Sequence, residues 1–155
     1  MKSAVKTSVG QSQKQNVRVS SFIVCDDVRR EYNGKEILIG VYNNVIIFPA
    51  LPSVMPNLVF RVALYANQMG VKDVKLTVVD ETTKKVVMNS ETQFEFKPQD
   101  SVYIFEWGLA GYPFSESTKL ISSISVGGEK HGLPDVIIRL PGSEDERGQV
   151  RKTEK

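Results

Sequence analysis

"IVCDDVRREYNGKEILIG", residues 23–40, decides how this chain is read. Asp26, Asp27, Arg29, Arg30 and Glu31 crowd between two apolar runs, beside Cys25, the single cysteine. The stretch is either a reactive site, with paired carboxylates and a nucleophile, or the solvated part of a β-hairpin. Asn33-Gly34 favours the hairpin, because both central residues of a type I′ turn need positive φ and this pair accepts it most readily. A two-residue loop there sets Tyr32 opposite Lys35, and predicts a first strand over 18–31 and a second over 35–48. Opposed side chains share a face. Phe22, Val24, Val28, Ile37, Ile39, Val41 and Val45 then form a core face, and Ile23, Cys25, Arg29, Leu38 and Tyr42 lie on the other. Asp26 is the anomaly, because this register turns it to the apolar face opposite Val41. A buried carboxylate needs partners or else it neutralises. Either Arg30 pairs with it or a bulge turns it outward. The same register sets Glu31 against Glu36, which argues for a bulge or a slightly longer loop.

Outward from this stretch the pattern stays β. "FPALPSVMP" places Pro49, Pro52 and Pro56 close together and predicts an extended crossover, since proline cannot donate to a ladder. Strands are expected at 57–66, 73–80, 86–96, 102–107, 119–126 and 136–140. Val74, Leu76 and Val78 alternate with Lys75 and Thr77, the mark of a sheet with one wet face. Short apolar runs separated by turn residues, with almost no helical period, predict a sandwich or barrel.

Composition narrows the function classes. The chain of 155 residues has a net charge of +2, unevenly placed. Residues 1–18 carry four basic groups and no acidic ones, whereas 19–141 carry 12 basic and 14 acidic residues. Nucleic-acid binders cluster Lys and Arg on a folded face, so a nucleic-acid partner is not expected. One cysteine makes no internal disulfide, which points to a reducing, cytoplasmic setting. No run approaches the roughly 18 apolar residues of a membrane span.

The chemical inventory is thin. Adjacent strand residues point to opposite faces, so Asp26 and Asp27 do not flank one bond as an acid/base pair unless the strand is bulged. Cys25 sits in a negative field that works against a thiolate, and reads as a small core hydrophobe. His131, the one histidine, lies in the glycine-rich "GGEKHGLPD", and nothing brings it to Cys25. One Cys and one His leave no zinc set, and no nucleophile elbow or phosphate-binding loop occurs. Calcium takes loop oxygens, and Asp26, Asp27, Asp80, Glu81, Asp100 and Asp135 fall at expected strand ends. Tyr103, Phe105 and Trp107 share one face of their strand, as core or as a partner-facing stripe.

Residues 25–58, "CDDVRREYNGKEILIGVYNNVIIFPALPSVMPNL", resemble the start of an uncharacterised bacterial family, a domain of unknown function. The likeness rests on the Cys-Asp-Asp-Val-Arg core, the Gly-Lys turn, the "LIGVY" strand and the "FPALP" segment. It implies a small β-sandwich and carries over no activity, substrate or cofactor.

The expectation is therefore an all-β, mostly antiparallel, Ig-like sandwich of eight or nine strands over 18–141, between disordered tails at 1–17 and 142–155. Its expected role is non-catalytic: a structural or protein-interaction module without cofactor, whose partner is a protein, self or heterologous. The alternative is a calcium- or carbohydrate-binding sandwich; a hydrolase ranks last.

Overall fold

The computed structural model describes residues 16–67, 69–97 and 102–143. Most of both expected tails lies outside these residues, but Val17 opens the first strand and is fully buried. The described residues form eleven strands and no helix. One sheet has the order β1 (Val17–Cys25), β5 (Ser53–Ala66), β8 (Val102–Phe114). The larger sheet runs β4 (Val45–Ile47), β11 (Val136–Arg139), β9 (Thr118–Val126), β6 (Gly70–Asp80), β7 (Val86–Phe96), with β10 (Glu129–Gly132) also on β9. β2 (Asp27–Arg30) and β3 (Glu36–Ile39) make a separate two-stranded ribbon. All pairings are antiparallel except β4 with β11.

The two large sheets face each other across one core. Period-2 alternation sends Leu58, Phe60, Val62 and Leu64 of β5 inward to meet Val74, Leu76 and Val78 of β6 and Leu120 and Ile124 of β9. Aromatic rings close one side: Phe94 and Phe96 of β7 meet Tyr103 and Phe105 of β8 edge-on, at centroid distances of 4.7 to 5.4 Å for Phe94–Tyr103, Phe94–Phe105 and Phe96–Tyr103.

The long hairpin read from the sequence is corrected. The ladder is confined to 27–30 with 36–39, with one further bridge from Val24 to Tyr42; β1 otherwise pairs with β5, and β4 crosses to the other sheet. The turn has three residues, not two. Glu31 N–H donates to Lys35 O, Gly34 N–H donates to Glu31 O, and Gly34 has φ of +84°. That is a type I turn closed by a left-handed glycine, and it shifts every pair by one position, so that Arg30 faces Glu36. β5 also begins inside the proline segment expected as a crossover, and Pro56 lies ahead of Val59, where the β1 pairing starts. An edge position tolerates the missing N–H. β8 runs on to Phe114, well past the expected end at 107.

Candidate functional site

The candidate surface is the outer face of the three-stranded sheet, half of it covered by the β2–β3 ribbon. Register sets the face in rows: Cys25–Val59–Gly108, then Ile23–Arg61–Glu106, then Ser21–Ala63–Ile104, then Arg18–Tyr65–Val102.

At the covered end the chain leaves β1 at Asp26 and doubles back. Asp26 N–H donates to Ile39 O, and Asn57 Nδ2 donates to Asp26 O at 2.5 Å, fastening the ribbon to β5. The Asp26 carboxylate accepts from the Tyr42 hydroxyl at 2.5 Å and packs against Gly40. Its partner is thus Tyr42, not Arg30. Burial and this carboxylate push the Tyr42 phenol up to about 12. Cys25 is fully buried beneath the ribbon, outside the main core, and its Sγ lies 3.6 Å from Asp27 O. Burial pushes its thiol up, so it is no ready nucleophile.

Next comes a closed ring of four charges. Arg61 reaches Glu106 at 3.2 Å and Glu36 at 2.5 Å, while Arg30 reaches Glu106 at 2.6 Å and Glu36 at 3.4 Å. The Arg61 guanidinium holds the Glu36 carboxyl below the usual range. The five charges that crowd the sequence are therefore split. Asp26 is the anchor, Arg30 joins the ring, Asp27 and Arg29 pair at 3.3 Å, and Glu31 accepts from the turn residue Asn33. Sequence reading missed Tyr42, Glu36, Asn57, Arg61 and Glu106 as members. A signal existed for two of them: Arg61 and Glu106 are lone charges within the apolar runs "LVFRVALY" and "VYIFEW".

The far half is open and apolar. Tyr65 (40% exposed), Val102 (45%) and Ile104 (45%) form one patch, with the Arg18 guanidinium 4.8 Å from the Tyr65 ring centre. β8 is an edge strand; among the described residues only β5 pairs with it. The expected aromatic partner face is not here, since Tyr103, Phe105 and Trp107 are buried in the core.

Calcium finds no set of ligands among the described residues, where no three or more acidic, histidine or cysteine side chains converge. Lys119 spans Glu81 and Asp135, at 3.6 and 3.8 Å, and Asp80 caps its own turn; Asp100 lies outside the described residues. His131 is on β10, 3.3 Å from Glu129, and not in a loop. Among the described residues no helix is long and apolar enough to cross a membrane.

The model of a family of unknown function, DUF6941, matches residues 20–137, and the chain belongs to that family. No curated protein matches by sequence. Among solved structures, an alkylpurine DNA glycosylase of Pseudomonas fluorescens, bound to DNA containing an abasic site analog, is similar at 10% identity and a TM-score of 0.45. The match covers 80% of this chain and 30% of the glycosylase. A structural genomics target, SoR45, is similar at 10% identity and a TM-score of 0.35, over 84% of this chain and 92% of that one. The expected partner, a protein with nucleic acid excluded, is corrected: a chain of related outline stands on DNA, so the exclusion is withdrawn. At this level of likeness no partner passes from it to this chain.

Proposed function

We propose that this member of the family is a non-catalytic interaction module whose docking surface is the open half of the three-stranded sheet, out to the β8 edge. The observation that carries this is the patch of Tyr65, Val102 and Ile104 on and beside a strand whose outer edge is open among the described residues. Edge strands are normally blunted, and the edges at β1, β4 and β7 are. β1 carries a bulge between Val19 and Ser21, β4 has three residues, and β7 carries Glu91 and Glu95. β8 presents Val102 and Ile104 instead, and its one outward charge, Glu106, is already neutralised. An extended partner strand laid along it gains backbone hydrogen bonds and two apolar neighbours. The buried, thiol-protonated Cys25 and the anchored Asp26 support the non-catalytic part of the reading.

The finer fold reading is Ig-like. Near the start of β8 the Tyr103 hydroxyl donates to Lys97 O at 2.8 Å and accepts from Lys97 N–H at 3.0 Å. A tyrosine that binds backbone just upstream, where the chain crosses between sheets, is a device of Ig-like sandwiches.

The test is a photo-crosslinking residue at Ile104, compared with one at Thr77 on the polar outer face of the larger sheet, in the native cell. A discrete adduct from position 104 alone is expected. Equal labelling at both positions, or none at either, overturns the reading.

A further inference from the structure

Between the β6–β7 turn and the end of β8 lies a cavity of about 380 Å³, within the size range of small-molecule sites. Pro52, Val86, Pro113 and Phe114 give it apolar walls, and Asp80 and Lys85 contribute opposite charges. Asp80 is 5% exposed. Its Oδ1 accepts from Thr82 N–H, Thr83 N–H and the Thr118 hydroxyl, at 2.9, 3.0 and 2.6 Å. None of these donors is charged. Burial works against the ionised form, yet these bonds outweigh it and hold the carboxyl below its usual range. Lys85 stands opposite across the turn, where Asp80 N–H donates to Lys85 O at 2.9 Å. Neither side chain makes an ion pair among the described residues.

An unpaired carboxylate and an unpaired ammonium on one apolar-walled cavity select against most ligands. A simple cation meets Lys85, a simple anion meets Asp80, and a neutral hydrocarbon strips water from both without replacing it. We propose that the cavity binds a small zwitterion with an apolar body, an α-amino acid, its ammonium on Asp80 and its carboxylate on Lys85. The site is separate from the β8 surface and does not depend on it.

The probe is L-phenylalanine, titrated against the full chain by amide chemical shifts. Saturable shifts at residues 80–86 and 112–115 are expected. Phenethylamine and hydrocinnamate, each lacking one charge, should bind at least about tenfold more weakly. Asp80→Asn keeps Oδ1 for the three turn bonds and should lose phenylalanine binding. Lys85→Gln, on an exposed side chain, should weaken it to the level of phenethylamine. Absence of saturation up to the solubility limit of phenylalanine overturns the proposal, as it would if Lys85 folded onto Asp80 and closed the cavity. Unchanged affinity in either variant overturns it too, and if Asp80→Asn fails to fold, Lys85→Gln decides.

Discussion

Gly40 has φ of +63°, and a Cβ built there would lie 1.9 Å from Asp26 Oδ2. Two demands meet at one position: a left-handed backbone and room for the carboxylate that Tyr42 holds. Gly40→Ala should therefore cost about 2–4 kcal/mol, combining φ strain with displacement of a hydrogen-bonded carboxylate. Chemical denaturation measures it, and a cost below about 0.5 kcal/mol would mean that Asp26 is free to swing away. Asp26 was legible as an anomaly in the sequence, because a carboxylate fell in an apolar phase. Its solution was not, because a glycine that stops a strand and a glycine that merely weakens one are spelled alike.

The β2–β3 ribbon hangs on the three-stranded sheet through the four-charge ring and the Asn57 bond. Arg61→Ala would leave Glu36 and Glu106 facing each other, both mostly shielded, with only the exposed Arg30 between them. Because the ring is partly solvated, the expected loss is about 1–2 kcal/mol, below that of a fully buried pair. It should be local. Amide exchange at Arg29 and Ile37 should accelerate while the β6 amides of Leu76 and Val78 keep their protection. Uniform acceleration, or none, would detach the ring from any role in holding the ribbon. Elements with clean alternation, such as Val74–Leu76–Val78, were readable at once. The ribbon was misread because one extra turn residue moves every pairing by a position, and a slip of one reverses the faces. Nor does anything local in "VRVSSFIVC" say that its partner is Val59–Ala66 rather than the neighbouring strand.

For the whole molecule, five shifted groups set the pH window of stability: Cys25, Tyr42 and Tyr112 are raised, Glu36 and Asp80 lowered. The Tyr42 phenol is raised from 10.0 to about 12, so the folded state holds its proton more tightly than the unfolded chain. That stabilisation, on the order of 2 kcal/mol, is complete below pH 10 and is lost between there and about 12. Asp80 and Glu36 are shifted the other way, so what they contribute is present above the ordinary carboxylate range and fades as acid protonates them. Stability should be level through neutrality and fall at both ends. Tyr42→Phe should make the alkaline limb shallower, leaving what Cys25 and Tyr112 contribute, and leave the acid limb alone, read from melting temperature against pH; an unchanged alkaline limb would release Tyr42 from this role.

The pairing of β1 with β5 joins Val17 to Ala66, whereas β6 and β7 meet across one short turn. Closing a long loop costs entropy before any contact repays it. During synthesis β1 must therefore wait, apolar face exposed, until the whole of β5 has followed. The Asp26 anchor, which ties residues only sixteen apart through Tyr42, gives that waiting segment a nearby hold.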